Sequence, residues 1–161
     1  MSTAGRKLKA VSQSQVEMTE MVLPNDTNRL GNLLGGRLMQ WIDIAAAIAA
    51  SRHTNRVCVT ASVDGLNFLY PVMQGEVVTL KASVNRVFRT SLEVGVKVLK
   101  ENLLTGERRH TNSAYLTFVA LDDAGNPSMT NGVKPVTGEE KRRYRDAARR
   151  RAVRLVRKKP R

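Results

Sequence analysis

The feature of the sequence that most limits its fold is a segment, residues 37–50, that is apolar on every side when it is drawn as a helix. Helical spacing puts one set of apolar residues on one face: Leu38, Trp41, Ile42, Ala45 and Ala49. The opposite face is scarcely more polar: Ile44, Ala46, Ala47, Ile48 and Ala50. A helix that is apolar nearly all round is a buried helix. Because one such helix can be covered on every side only by a sheet that wraps it, we expect a curved sheet around this segment.

Strands are predicted on both sides of the helix. One run precedes it, within residues 12–23, and four follow it up to about residue 121. The following runs alternate apolar and polar residues, which is typical of strands with one polar face, and their apolar positions begin at Val57, Val78, Leu92 and Ala114. This pattern indicates an antiparallel sheet that is covered on one side only. The order of strand, helix and four strands predicts an α+β fold rather than repeated βαβ units.

The positive charge is concentrated at the C-terminal end. The 161 residues include 27 Lys and Arg against 14 Asp and Glu, a net charge of +13, and the segment from Lys134 onward carries 13 basic and three acidic residues. Residues 139–157 have the composition of a helix with a thin apolar stripe, and residues 128–138 are expected to form a linker. Such a tail indicates an anionic partner, namely nucleic acid, a membrane surface or a phosphorylated small molecule, or else a solvated helix face.

Several classes of protein are disfavoured by the composition. A lone Cys58 excludes an intramolecular disulfide framework, and Asp43 interrupts the longest apolar run before it reaches the roughly 18 residues of a membrane span. No apolar segment follows the basic N-terminus, so we expect a cytoplasmic protein of one domain. His53 and His110 lack partners at metal-ligand spacing, and Cys58 on a predicted strand is more consistent with a core residue than with a nucleophile.

Two features could carry chemistry. Asp43 is the only ionisable residue between Leu38 and Ala50, and a buried carboxylate is paired, protonated or functional because burial without partners is costly. The stretch from Asn28 to Gly35 and Gly36 comes directly before the helix. Free N–H groups at a helix N-terminus can stabilise an oxyanion, although these residues also suit a tight turn.

Three segments resemble the acyl-CoA thioesterases of the cytosolic (brain-type) acyl-CoA hydrolase family, whose bacterial members are short proteins with a single hotdog domain. They are LPNDTNRLGNLLGGRLMQWID at residues 23–43, TASVDGLNFLYPV at residues 60–72 and RTSLEVGVKV at residues 89–98. The resemblance covers about residues 13–127. It implies a hotdog fold, a curved antiparallel sheet wrapped around one central helix, in residues 1–127, followed by a linker and a basic helical tail in residues 128–161.

The resemblance also implies an activity and its residues. The family's helix carboxylate falls on Asp43 and its asparagine on Asn28, with each active site shared between two subunits. Asp43 would act as general base or as nucleophile, Asn28 would hold the water or the carbonyl, and amides near Gly35 and Gly36 would form an oxyanion hole. The implied reaction cleaves acyl-CoA to a carboxylic acid and coenzyme A, with no metal or redox cofactor.

The implied substrate and assembly suggest further contacts. Coenzyme A carries phosphates that suit arginine, so Arg89, Thr90 and Ser91 are expected at its nucleotide end, together with the tail residues Arg142, Arg143, Arg149 and Arg150. Met39, Trp41 and Leu66 are expected to line an acyl tunnel between subunits. The family resemblance implies an obligatory dimer and three dimers in a hexamer.

Two alternative functions stay open on the sequence. The first is a non-enzymatic binding module that uses the basic tail on nucleic acid or an anionic membrane surface. The second, a hotdog dehydratase, would place a histidine near the helix, and no histidine lies between Met1 and Arg52.

Overall fold

The computed structural model describes residues 5–158 and 160 and is built on a five-stranded antiparallel sheet. The strands follow the order β2-β4-β5-β6-β3 across the sheet. Their bounds are β2 Val16–Met21, β3 Val57–Val63, β4 Val77–Val87, β5 Ser91–Glu101 and β6 Arg108–Leu121. The long helix α1, Gly35–Thr54, packs against this sheet, and a second helix, α2, spans Gly138–Arg157. The predicted fold class is confirmed: a curved antiparallel sheet holds one long helix, and a basic helix follows it.

The core lies between α1 and one face of the sheet. Four alanines of α1, Ala45, Ala46, Ala49 and Ala50, are fully buried, and their small side chains let the helix backbone lie close to the sheet. The strand residues that face the helix are almost all buried valine, leucine and alanine, with Phe118 as the largest: Val78, Leu80, Ala82, Val84, Val94, Val96, Val98, Ala114 and Leu116.

A small parallel sheet closes the end of the fold where α1 terminates. It pairs β1, Leu8–Ala10, with β7, Gly132–Lys134, so the segment expected to be a linker contains a strand. His53 is buried beside this sheet, and one of its ring nitrogens lies 3.2 Å from the carbonyl oxygen of Asn131. The Lys9 ammonium donates to the carbonyls of Arg52 and His53, which satisfies acceptors that a helix C-terminus leaves free.

The expectation that the sheet covers α1 on all sides is wrong. Met39, Ile44 and Ile48 are between 37% and 43% exposed, on a side of the helix that no strand covers. Five strands curve only part of the way around the helix, and β3 ends the sheet at that edge. Within one chain, α1 therefore presents an apolar face to its surroundings.

The edge strand β3 is inverted relative to its sequence pattern. Alternation makes its valines the apolar face, but Val57, Val59 and Val63 are exposed, while Cys58 packs against the core as expected. Alternation fixes only that successive side chains point to opposite faces, and it does not say which face is buried. Within one chain, α1 and β3 thus both expose apolar side chains.

The expectation that the sheet is covered on one side only is also wrong, because α2 packs on its outer face. Glu93 of β5 is completely buried there and accepts two hydrogen bonds from the Arg150 guanidinium, at 2.8 and 2.9 Å. The same guanidinium stacks 3.6 Å from the centroid of the Tyr115 ring. A second ion pair joins Arg154 to Asp64 at 3.2 Å. The basic tail is therefore a docked helix whose arginines hold it to the sheet.

No helix in residues 5–158 is both long enough and apolar enough to cross a membrane.

Removal of the Arg150 side chain is expected to destabilise the protein strongly. Arg150→Ala would leave the buried Glu93 carboxylate without its cation, which typically costs about 3 kcal/mol or more. The free energy of unfolding, measured by urea denaturation at one fixed protein concentration, tests this. Arg149→Ala is the matched control because Arg149 is exposed and pairs only at the surface, so its effect should stay below about 0.5 kcal/mol. Equal losses for the two variants would contradict the role assigned to Arg150.

Stability is expected to fall in weak acid because of His53. Burial lowers the pKa of His53 below its ordinary value of 6.5, so the unfolded chain takes up a proton at a pH where the folded chain does not. The contribution of neutral His53 to the free energy of unfolding is fully present above pH 6.5. It is lost as the pH falls from 6.5 toward the lowered pKa, by at most about 1.4 kcal/mol per pH unit. Urea titrations between pH 7.5 and 5 should show a smaller slope for His53→Gln. An unchanged slope would refute this origin.

Candidate functional site

Asp43 and Thr60 meet at the edge of the sheet, where the strand β3 lies beside α1. Asp43 lies two turns into the helix and is half-buried, and Thr60 is on the edge strand β3. The Thr60 hydroxyl donates a hydrogen bond to the Asp43 carboxylate at 2.7 Å. Of the possibilities left open by the sequence, the structure shows a carboxylate that is hydrogen-bonded by a hydroxyl and still reachable from outside the chain.

Sequence reasoning missed Thr60. The signal that could have found it is the alternation at the start of β3, because Thr60 shares a face with Cys58, opposite Val57 and Val59. Since the polar face of β3 turns toward the helix, a threonine at the middle of that strand can reach a carboxylate in the middle of α1.

The loop before α1 is fixed to the first turn of the helix by Asp26. Its carboxylate is buried, accepts a hydrogen bond from the Leu23 amide at 2.9 Å and forms an ion pair with the Arg37 guanidinium at 3.0 Å. The Asp26 carbonyl accepts a further bond from the Leu34 amide at 2.8 Å. This residue therefore holds the loop that carries Asn28 in one position relative to the helix.

Asn28 is a turn residue whose amide oxygen is already used. Its Oδ1 accepts hydrogen bonds from the amides of Leu30 and Asn32, at 2.9 and 3.2 Å. Its Nδ2 group donates to none of the residues that the structure describes, and the side chain is exposed. The group that Asn28 can offer to a ligand is consequently the donor, not the acceptor.

Gly35 and Gly36 are the first two residues of α1 and not a turn that precedes it. The residue at the N-cap, Leu34, provides no side-chain hydrogen bond, and the amides of Gly35 and Gly36 donate to no other described residue. The Phe68 ring packs over Gly35, since a side chain built there would meet it at 3.4 Å. The helix N-terminus thus keeps free donors beside an apolar ring.

The free amides of Gly35 and Gly36 lie far from Asp43 along the helix axis. Asp43 follows Gly35 by eight positions, which corresponds to roughly 12 Å along the helix axis. One thioester carbonyl cannot contact both groups of the same chain at once.

Arg89, Thr90 and Ser91 lie in the tight connection between β4 and β5. The Arg6 guanidinium donates to the carbonyls of Phe88 and Thr130, at 2.7 and 2.6 Å, which places this connection beside the small sheet where α1 ends. Arg89 itself is exposed. Within a single chain, the structure does not bring these three residues together with Gly35 and Gly36 at the other end of the helix.

The tail arginines expected to contact phosphates are engaged within the chain. Arg142 and Arg143 pair with Glu139, Arg142 and Arg149 pair with Asp146, and Arg150 pairs with Glu93.

Of the three residues expected in an acyl tunnel, Trp41 is buried in the core, Leu66 packs against that core and Met39 is exposed.

Cys58 lacks the properties of an activated nucleophile. Burial raises the pKa of its thiol, a trend that the hydrogen bond with the Thr54 hydroxyl opposes only in part. A thiol with a raised pKa carries little thiolate at neutral pH. Within residues 5–158, no cluster of three or more His, Cys, Asp or Glu side chains could hold a metal ion.

Comparison with known sequences identifies a family. Residues 30–107 match the model of the thioesterase superfamily. The chain is 48% identical over 128 residues to a protein of Bacillus subtilis named uncharacterized acyl-CoA thioester hydrolase YkhA, an alignment that covers 80% of this chain and 74% of that one.

Solved structures agree with the sequence comparison. A hexameric acyl-CoA thioesterase superposes with a TM-score of 0.92 at 41% identity, over 96% of this chain and 99% of the other. An acyl-CoA hydrolase from Staphylococcus aureus, in complex with butyryl coenzyme A, coenzyme A and coenzyme A disulfide, gives 0.88 at 37% identity over 93% and 92%. Similar structures include variants of that enzyme with alanine in place of an aspartate, an asparagine or a threonine.

Proposed function

The chain belongs to the thioesterase superfamily and is an acyl-CoA thioester hydrolase, and we propose that Asp43 is the residue on which its hydrolytic step depends. The reaction converts acyl-CoA and water to a carboxylic acid and coenzyme A. The observation that carries the proposal is the hydrogen bond of 2.7 Å from Thr60 of the edge strand to the half-buried Asp43 carboxylate. A hydroxyl donor orients the carboxylate and leaves its second oxygen available for chemistry.

Asp43 has two possible roles, and the geometry is compatible with both. As a general base, the carboxylate removes a proton from water as the water attacks the thioester carbonyl. As a nucleophile, it attacks the carbonyl itself, expels the coenzyme A thiolate and forms a mixed anhydride that water then cleaves. In either case Thr60 positions the carboxylate and does not contact the reacting carbonyl.

The amides of Gly35 and Gly36 supply the oxyanion hole. Negative charge develops on the carbonyl oxygen during attack, and free N–H donors at a helix N-terminus stabilise it through hydrogen bonds and the helix dipole. The absence of a side-chain cap at Leu34 supports this role, because a cap would occupy the same donors.

A complete site requires two chains. Gly35 and Asp43 of one chain are too far apart to act on one carbonyl, so the oxyanion hole of one subunit serves the Asp43 of its partner. The apolar surface formed by α1 and β3 supports a dimer, because exposed apolar patches of this kind mark protein interfaces. We extend this to three dimers in a hexamer, supported by the hexameric assembly of the similar thioesterase.

Asn28 acts as a donor to the substrate carbonyl or to the attacking water. Its Oδ1 is held by Leu30 and Asn32, so only its Nδ2 group is available. Because the ion pair of Asp26 and Arg37 fixes this loop to the same helix turn as Gly35, Asn28 and the oxyanion amides approach the substrate from one subunit, and Asp43 approaches it from the other.

Coenzyme A is bound as substrate and product, and the proposal includes no metal or redox cofactor. Arg89, Thr90 and Ser91 would contact its nucleotide end, for which the exposure of Arg89 is the support.

We place the enzyme in the cytoplasm, consistent with a single free cysteine. The alternative of a nucleic-acid or membrane-binding tail loses support, since much of the tail's charge is paired within the chain.

Replacement of Asp43 is expected to abolish most of the activity. Asp43→Asn removes the base or nucleophile and should lower kcat by about two to four orders of magnitude. The measurement is thiol release from acyl-CoAs of different chain lengths, with circular dichroism to confirm that the variant is folded. Turnover within a few-fold of the wild type would refute the role of Asp43 without affecting the fold.

Thr60 can be tested with an isosteric pair of variants. Thr60→Val removes the hydrogen bond to the carboxylate and should lower kcat by about 10- to 100-fold with little change in KM. Thr60→Ser keeps the hydroxyl and should retain most of the activity. If the serine and valine variants lose activity equally, the hydroxyl does not act through Asp43.

The shared site predicts complementation between two inactive proteins. Asn28→Ala and Asp43→Ala each damage both sites of a homodimer, but a mixed dimer contains one site with both residues intact. Random reassociation should therefore restore about a quarter of wild-type activity, because half of the dimers are mixed and each has one good site. Failure to recover activity, with mixed dimers demonstrated by mass spectrometry, would place Asn28 and Asp43 in separate functions.

A further inference from the structure

The first turn of α1 contains a cation where the helix dipole favours an anion. Arg37 is the third residue of the helix, and the first turn has no acidic residue of its own. The positive end of the dipole makes a cation unfavourable at this position. Stabilisation of the helix itself therefore does not explain Arg37, although its guanidinium also donates to Gln40 at 2.9 Å.

The partner of Arg37 is a buried carboxylate from the loop that precedes the helix. The Arg37 Nε lies 3.0 Å from Oδ1 of Asp26, a residue that is 7% exposed. The other carboxylate oxygen, Oδ2, accepts a hydrogen bond from the Leu23 amide at 2.9 Å. Both oxygens of Asp26 are thus occupied, and neither accepts from the described amides of Gly35 and Gly36.

Asp26 is otherwise well placed to cap α1. Its carbonyl accepts the amide of Leu34, the N-cap residue, at 2.8 Å, and its carboxylate contacts the third residue of the helix. Aspartate is among the preferred residues for capping the free amides of a helix N-terminus, and the helix dipole attracts its charge. The free amides of Gly35 and Gly36 lie in the chain between these two contacts.

We propose that Arg37 keeps the oxyanion hole open by holding the Asp26 carboxylate away from the Gly35 and Gly36 amides. The inference rests on the proposed function, in which these amides stabilise the negative charge that develops on the substrate carbonyl. A carboxylate bonded to the amides would occupy the donors and would place a negative charge where the oxyanion forms. Arg37 acts through Asp26 and is therefore a positioning residue.

The loop before α1 also has anchors that do not depend on this ion pair. Backbone hydrogen bonds join the Leu34 amide to the Asp26 carbonyl at 2.8 Å and the Leu33 amide to the Val72 carbonyl at 2.7 Å. The loop therefore keeps these bonds when both charges of the ion pair are removed together. This allows a role in holding the carboxylate to be separated from a role in holding the loop.

The test compares a single variant with a double variant of the full chain. Arg37→Met releases the carboxylate to the free amides and should lower kcat for acyl-CoA hydrolysis by about 10- to 100-fold, with KM changed less than about threefold. Asp26→Asn combined with Arg37→Met removes the competing charge and should recover most of the lost kcat. A role only in holding the loop predicts no recovery, because both variants lack the ion pair.

Further variants control for charge and for folding. Lys134→Met removes one positive charge from an exposed residue of β7 and should leave kcat unchanged, whereas Arg37→Lys keeps a cation beside Asp26 and should be more active than Arg37→Met. In the Asp26→Asn background, loss of Arg37 should change kcat less than about threefold. This last comparison tests the proposal even if Arg37→Met alone does not fold. A large loss in that background, or wild-type kcat in Arg37→Met, would overturn the proposal.

A crystal structure of Arg37→Met gives a result that does not depend on turnover. The Asp26 carboxylate should lie within hydrogen-bonding distance, about 2.7 to 3.2 Å, of the Gly35 or Gly36 amide. A carboxylate that stays on Leu23 alone would overturn the proposal even if kcat falls. Capping of the amides without a loss of kcat would instead refute the oxyanion hole, so a failure of this inference is distinguishable from a failure of the proposed function.

Discussion

The packing of the alanine face of α1 into the curved sheet is the contact on which the rest of the structure depends. Ala45, Ala46, Ala49 and Ala50 are small enough for the helix to lie close to the strands. Asp43 precedes Ala46 and Ala50 by three and seven residues, so it lies at the edge of that buried face. There it meets Thr60 of the edge strand β3. The same packing directs the N-terminus of the helix, with its free amides at Gly35 and Gly36, toward the loop of Asn28.

The charged side chains on the outer face of the same sheet fall into two groups. At one end, Arg150 and Arg154 of α2 are neutralised by Glu93 and Asp64 and hold the helix in place. Elsewhere on this face, Lys81 stands in register with both Glu17 and Lys97, and neither lysine forms an ion pair within residues 5–158. The net charge of the chain does not record this difference, because it counts the arginines that hold α2 to the sheet together with cations that form no close ion pair.

The inversion of β3 shows where pattern reasoning reaches its limit. The alternation of Val57, Val59 and Val63 with polar residues correctly indicates a strand, but it suggests the wrong face for the core. An edge strand of one chain can bury its apolar face against another chain, so the rule that apolar residues face inward applies to the assembly and not to the single chain. Thr60 was missed although Cys58 on the same face was expected in the core, because alternation marks that face as the polar one.

The sequence by itself determined the class of the fold, the helix, the positions of the five main strands and the anomaly of Asp43, because these depend on local periodicity and on the cost of burying a charge. The stretch from Asn28 to Gly36 also stood out in the sequence, and family resemblance added the roles expected of Asn28 and of the glycines. Only the tertiary structure decided that Thr60 binds Asp43, that Asp26 and Arg37 fix the loop of Asn28, and that α2 docks through its arginines. Each of these is a contact between residues distant in the chain or between a loop and a helix turn. Which residues meet in these contacts depends on how the helices, strands and loops pack, and local sequence patterns do not predict that packing.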